Sequence, residues 1–315
     1  MTAPIPTQNG EPASKTVVPY SGARVINGVA IAKAVRSELA ERVRALAARA
    51  ITPGLAVVLV GDNPASATYV KSKVRACREV GIHSEVFRFP ATVTESEIID
   101  CIHNLNANSS IHGILVQLPL PPSVSSRPVI EAIHLNKDVD GFHLFNVGGL
   151  VIGNTVFPPC TPYAVQKLLE HEGVSVEGKN VTVVGASNIV GKPLALMLMQ
   201  REATVAICHA KTRDLTQYTI LADVLVVAAG CPNLIVSQMV RSGAVVIDVG
   251  INRTPDGRLV GDVDFEGVRQ KASLITPVPG GVGPMTVTML LENTVRAAER
   301  ASLNLQRPLP GLDCP

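Results

Sequence analysis

The sequence predicts an α/β protein of two domains, each built on a mostly parallel sheet. Three observations predict it. Short apolar runs of buried-strand type alternate with helical patterns, the alternation lapses into a Gly/Pro-rich connection at residues 148–159, and a second series then opens. At 315 residues the chain is long enough for two cores.

The elements follow in order. VAIAKAVRSELAERVRALAARA (Val29–Ala50) has an amphipathic helical period, ended by Pro53 and Gly54. LAVVLVG (Leu55–Gly61) is an apolar run typical of a buried strand. Asn63 at the N-cap, Pro64 at the first helical position and Gly81 beyond the end bound a helix over 64–80. Val86–Phe89 is a strand, and Thr94 with Glu97 forms a capping box for the next helix. Gly113–Gln117 is another buried strand, running into LPLPPS. Past the connection, Thr161 caps a helix with Pro162 at its first position and Gly173 at its end. NVTVVG (Asn180–Gly185), ATVAIC, DVLVVAAG and GAVVIDVG supply the strands of the second series. A last helix, Met285 to Ala301, returns toward the first domain. The boundaries expected are a tail over 1–23, a first domain over 24–157 plus 285–303, and a second over 158–284.

Composition excludes several classes. Hydrophobic residues make up 46% and charged residues 17% of the chain. No apolar run reaches the length of about 18 residues needed to span a bilayer, LALMLM (Leu194–Met199) being far too short. A net charge of +2 gives no reason to expect nucleic acid or anionic lipid. The six cysteines (Cys77, Cys101, Cys160, Cys208, Cys231 and Cys314) form no CxxC pair, so neither a zinc site nor a disulfide framework is expected. The first 23 residues lack the apolar core of a signal peptide and the arginines of a transit peptide; they read as a flexible tail on a cytoplasmic protein.

Candidate functional residues fall in five stretches. In TYVKSK, Tyr69 and Lys73 lie four apart on one helical face with Ser66, whereas Lys71 lies about 200° around from Tyr69. Burial lowers a lysine from its reference pKa of about 10.4 toward the range useful for proton transfer. Taken alone, the stretch fits a surface lysine better, since lysines are seldom buried. Gln117 places an amide at the carboxyl edge of a buried strand, where open α/β sheets bind ligands. In NKDVDGF, Asp138 reads as structural, and Asp140 suits an amino-substituted heterocycle held by paired hydrogen bonds. TPVPGGVGPMT (Thr276–Thr286) combines three prolines with three glycines, a rigid turn bringing bare backbone close to a ligand. In VTVVGASNIVGKP, Gly185-x-Ser187-x-x-x-Gly191 sits between strand and helix, one residue longer than the common dinucleotide fingerprint. No ribose-binding acid follows the next strand; His209, Lys211 and Arg213 stand there instead, favouring the extra phosphate of NADP.

Together these stretches resemble one family. GDNPASATYVKSK, GILVQLPLP, KDVDGFHLFNVGGL, PPCTP, GASNIVGKP, ADVLVVAAG, VIDVGIN and TPVPGGVGPMT occur in the order found in bifunctional methylenetetrahydrofolate dehydrogenase/methenyltetrahydrofolate cyclohydrolases, the FolD family. The likeness runs from about Arg24 to Arg300. It implies a folate domain, a Rossmann-type NAD(P) domain, a cleft between them and a homodimer formed through the cofactor domain, with no metal. The implied reactions are oxidation of 5,10-methylenetetrahydrofolate with NADP and hydrolysis of the methenyl product to 10-formyltetrahydrofolate. By the same resemblance Lys73 is the catalytic lysine, Gln117 its hydrogen-bonding modulator, Tyr69 the ring against the folate and Asp140 the pterin-holding carboxylate. Val116 and Leu118, flanking Gln117, and Pro279, Gly280, Gly281, Val282 and Gly283 border the substrate. Gly185, Ala186, Ser187, Gly191, His209, Lys211, Gly250 and Ile251 contact the cofactor. One departure concerns cofactor choice: members carrying arginine at the position of Ala186 or of Ala210 use it for the 2′-phosphate, and here both are alanine. NADP preference then rests on Lys211, Arg213 or His209, and NAD is the alternative. Other readings are a monofunctional member or a non-catalytic folate- or nucleotide-binding paralogue, for which Lys73 would be superfluous.

Overall fold

A computed structural model describes residues 22–304. The expected tail lies outside the described residues except for its end, and so does Cys314. Ala23, placed in that tail by the sequence, is buried and donates its N–H to the Arg269 carbonyl at 2.6 Å.

The elements are β1 (Arg24–Val25), α1 (Gly28–Ala47), β2 (Gly54–Val60), α2 (Pro64–Val80), β3 (His83–Phe89), α3 (Glu95–Ala107), β4 (Gly113–Val116), α4 (Ser126–Glu131), α5 (Leu144–Ile152) and α6 (Cys160–His171). There follow β5 (Asn180–Val184), α7 (Gly191–Met199), β6 (Thr204–Cys208), α8 (Thr216–Thr219), β7 (Val224–Val227), β8 (Val245–Asp248), β9 (Asn252–Arg253), β10 (Leu259–Val260), α9 (Phe265–Arg269), β11 (Leu274–Ile275) and α10 (Val282–Asn304). One sheet has the order β3-β2-β4 and another the order β1-β11-β8-β7-β5-β6; every pairing in both is parallel. Strands β9 and β10 form a small antiparallel hairpin. The central strands β2, β4, β7 and β8 are buried along their whole length, as their unbroken apolar runs require.

Local signals act where the sequence places them. Asn63 Oδ1 accepts the N–H groups of Ala65 and Ser66 at 2.9 and 3.2 Å, and Gly81 closes α2 in the left-handed conformation at φ 86°. Thr94 and Glu97 form the reciprocal capping box of α3. Other ends differ. Helix α1 closes at Ala47, and β3 begins at His83 rather than Val86. Pro159, not Thr161, is the N-cap of α6, so Thr161 lies inside the first turn. Helix α10 begins at Val282, because Pro284 falls in its first turn, where a missing N–H costs nothing.

Arg24–Val25, which the sequence groups with the first domain, pairs with Leu274–Ile275 at the edge of the second sheet. The chain therefore starts on one sheet, builds the other and then returns. Helix α10 packs along α1 and α6, and one apolar core runs from Leu39, Val43 and Leu46 through Leu290 and Val295 to Leu168, Val181 and Leu194. Arg42 of α1 grips α10 by donating to both carboxylate oxygens of Glu292, at 2.9 and 2.8 Å, and of Glu299, at 3.0 and 2.8 Å. Asn293 of α10 is fully buried and donates to the carbonyls of Val139 and Pro158 at 2.9 and 3.0 Å.

Phe157 is completely buried where the connection meets this core. Phe157→Ala is expected to lower stability in urea or thermal unfolding by about 3–5 kcal/mol, from lost transfer energy and the cavity left behind. A loss below about 1 kcal/mol would contradict that packing.

Candidate active site

The carboxyl ends of β2 and β4 and the helix between them place the first group of side chains. Tyr69 and Lys73 lie on one face of α2; Tyr69 is 41% exposed, and Lys73 is half-buried. The Lys73 ammonium donates to Gln117 Oε1 at 3.0 Å. Gln117 follows directly on β4, and its Nε2 donates to the Leu118 carbonyl at 2.7 Å, which fixes which end of the amide meets the lysine. Val116 is buried at the end of β4, and Leu118 is half-buried before a cis peptide to Pro119. Lys71 is exposed on another face of the helix. The helical period thus separates the two lysines, and only Lys73 meets the amide.

Asp140 is half-buried beside the same lysine. Burial pushes its carboxyl above the usual range; the positive charge of Lys73 opposes the shift and the negative charge of Asp138 adds to it. The buried thiols of Cys77, pushed up to about 12, and of Cys160 are also raised by burial, again against Lys73. Lys73 thus lies close to Asp140 and to both thiols. Asp138 plays a different part. It is fully buried and accepts from the N–H groups of Phe142 and His143 at 3.3 and 2.9 Å and from Asn146 Nδ2 at 2.6 Å. These bonds build the turn that presents Asp140.

The opposite wall comes from the loop after β11. Pro279, Gly280, Gly281, Val282 and Gly283 border a cleft of about 170 Å³ together with Tyr69, Gly250 and Ile251. The cleft widens past Tyr69 into a groove of about 520 Å³ that reaches Arg36, Arg75 and Arg253.

In the second sheet the β5–α7 turn fits a dinucleotide. Gly185 has φ 121°, and a Cβ there would strike the Ala228 carbonyl; one on Gly191 would strike the carbonyl of Gly185. The backbone is thereby drawn tight at the start of α7, where Ser187 takes up the N–H groups of Gly191 and Lys192 and the positive helix end meets the turn. Ala186 is half-buried, and Ser187 Oγ accepts the Val190 N–H at 3.1 Å. After β6, His209 and Lys211 are exposed in a turn closed by His209 N–H to Thr212 Oγ1 at 2.9 Å and Lys211 N–H to His209 Nδ1 at 3.1 Å. After β8, Gly250 is buried and Ile251 is 45% exposed toward the cleft.

Sequence reasoning missed Asp248, Asn252 and Asp262, which bind the loops after β7 and β8. The signal was present in VIDVG and GDVDF, where acidic residues stand at strand ends among buried apolar positions. Among the described residues no cluster of three metal-ligating side chains occurs, and no helix is long and apolar enough to cross a membrane.

These features define a class: a two-domain α/β protein with a dinucleotide-binding half facing a lysine–amide half across a cleft. Comparison with known proteins narrows it. Residues 26–140 match the catalytic domain, and residues 159–302 the NAD(P)-binding domain, of tetrahydrofolate dehydrogenase/cyclohydrolase. The bifunctional protein FolD of Bordetella petrii is 59% identical, over 90% of this chain and 96% of its own. A FolD methylenetetrahydrofolate dehydrogenase/cyclohydrolase structure from Campylobacter jejuni is 52% identical, with a TM-score of 0.87 over 88% of this chain and 99% of that one. The Trypanosoma brucei enzyme, solved with NADP and an inhibitor, is 40% identical, with a TM-score of 0.86 over 89% of this chain and 99% of that one. The chain belongs to the tetrahydrofolate dehydrogenase/cyclohydrolase family.

The loops after β7 and β8 make a titration prediction. Asp248 is 3% exposed, and burial pushes its carboxyl up to about 6, against the N–H groups of Asp262, Val263 and Gly250. The folded state then holds this proton more tightly than the unfolded chain does. Its contribution to stability is full below about pH 4 and is lost as pH rises through 6. A carboxyl-detected NMR titration of Asp248 is expected to give a midpoint near 6; a midpoint near 4 would contradict its burial.

Proposed function

We infer that the protein oxidises 5,10-methylenetetrahydrofolate to the 5,10-methenyl form with NADP and then hydrolyses that product to 10-formyltetrahydrofolate. The observation that carries this reading is the Lys73–Gln117 hydrogen bond at the edge of one sheet, one helical turn from Tyr69, which lines the cleft walled by the loops of the other. Oxidation alone needs two rings held face to face, and the dinucleotide turn with a folate pocket would supply that. Hydrolysis also needs a water brought to the methenyl carbon and protons moved at N5 and N10. A lysine held by an amide serves that second step.

In this reading Asp140 takes the amino-substituted edge of the pterin through paired hydrogen bonds, Tyr69 lies against the folate ring, and Val116, Leu118 and Pro279–Gly283 wall the substrate. The raised carboxyl of Asp140 suits a partner that can both donate and accept. Gly185, Ala186, Ser187 and Gly191 hold the pyrophosphate, His209 and Lys211 face the 2′-phosphate, and Gly250 and Ile251 border the nicotinamide. When bound, NADP supplies the hydride acceptor. Lys73 moves the protons of the hydrolytic step, and Gln117 fixes its ammonium.

The working unit in this reading is a cytoplasmic homodimer joined through the cofactor domain. Supporting it, β6 is the outer strand of its sheet, and Ile207, Tyr218, Ile220 and Leu221 nearby are 42%, 45%, 43% and 64% exposed.

Two assays test the reading. With methylenetetrahydrofolate and each nicotinamide, kcat/KM is expected to favour NADP; a preference for NAD above about tenfold would refute the assignment of the basic turn. Lys73→Ala is expected to stop decay of the methenyl product while leaving thermal unfolding close to wild type. Loss of that step in Lys71→Ala instead would contradict the role given to the α2 face.

A further inference from the structure

Asp262 follows β10 and is completely buried. Its Oδ2 accepts the backbone N–H groups of Ala229 and Gly230 at 2.6 and 2.8 Å, and its Oδ1 accepts from Asn252 Nδ2 at 2.7 Å. Asp248 lies alongside, accepting the N–H groups of Gly250, Asp262 and Val263 at 2.9, 3.0 and 3.0 Å. Glycine stands where a side chain would strike either carboxylate, Gly250 against Asp262 and Gly261 against Asp248. Among the described residues neither carboxylate forms an ion pair.

Two neighbouring buried carboxylates without a cation are a costly way to close a loop. Apolar packing or an amide would close it at lower cost. A carboxylate adds several acceptor directions on a rigid plane, so one side chain fixes N–H groups from two loops in a single geometry.

The two loops occupy special places. Ala229–Gly230 leaves β7 and Gly185 leaves β5, and the strand order reverses between them: the chain passes from β5 outward to β6 and then back across to β7. Open α/β sheets bind ligands in that crevice. A Cβ on Gly230 would meet nothing within 4 Å, so the outer side of this loop is open. Asn252 ends the segment of Gly250 and Ile251 that lines the cleft with Tyr69. Asp262 therefore joins the dinucleotide crevice to the wall of the folate cleft.

We propose that Asp262 is a positioning residue for hydride transfer, holding the Ala229–Gly230 and Gly250–Asn252 loops in one register so that the nicotinamide ring is set against the folate carbon. This rests on the function inferred above and deepens it. Hydrolysis draws on Lys73, Gln117 and Asp140 at the edge of the other sheet, none of which the clamp touches. Asp262 thus separates the two activities.

The test measures both activities of the full-length protein. In Asp262→Ala, dehydrogenase kcat/KM is expected to fall roughly tenfold or more, since small misplacements of reacting groups are costly. KM for NADP rises, while the cyclohydrolase rate stays within about twofold of wild type. Asp262→Asn keeps one acceptor toward Ala229 and Gly230 and restores part of the loss. Should Asp262→Ala fail to fold, Asn252→Ala, at a half-buried site, removes one arm of the clamp and is expected to lower only the dehydrogenase. Equal losses in both activities, or an unchanged dehydrogenase in either folded variant, would overturn the proposal. A wild-type protein that forms no methenyl product sinks the underlying reading; wild-type activity with parallel losses in the variants sinks this inference alone.

Discussion

The cleft depends on one close contact. Gly28, the first residue of α1, lies against the carbonyls of Gly280 and Gly281, and a Cβ there would strike both. Through it the start of the chain's first helix touches the loop that precedes its last. That loop leaves the second sheet at β11, and α10 then runs back along α1 and α6, gripped by Arg42 and pinned by Asn293. The distance between α2 and the Pro279–Gly283 wall is set by this return. Because the core is continuous through α1, α10, α6 and β5, each half of the cleft is held by packing that also stabilises the other.

Within that frame the charges are divided. One lysine faces the folate half, held by an amide whose orientation is fixed by its own neighbour's carbonyl, and its field reaches Asp140 and two buried thiols. The other half draws its backbone tight at a glycine turn and controls its loops with carboxylates. Proton transfer needs a group whose charge changes, whereas hydride transfer needs held geometry. The arrangement suits one requirement on each side.

Much of this was legible because it is local. The cap at Asn63, the stop at Gly81 and the box of Thr94 and Glu97 involve residues a few positions apart, so α2 and its face follow from the sequence. The separation of Lys71 from Lys73 needs only the helical period. What the sequence hid was non-local or brief. Strands β1 and β11 are two residues each, too short for a period, and their pairing joins residues 24–25 to 274–275. The start of α10 was hidden because Gly283 and Pro284 read as loop, although the first helical turn tolerates both. Asp262 reads as one acid among many; only the folded chain brings Ala229, Gly230 and Asn252 to it.

If one interdomain cleft serves both halves of the chemistry, both ligands meet in it. A crystal structure with NADP and a tetrahydrofolate analogue tests it most directly. The pterin edge is expected on Asp140, a folate ring against Tyr69, the pyrophosphate at Gly185–Gly191 and the nicotinamide beside Ile251. A folate analogue bound instead in the separate groove lined by Thr52, His112, Lys137 and Arg300 would contradict it.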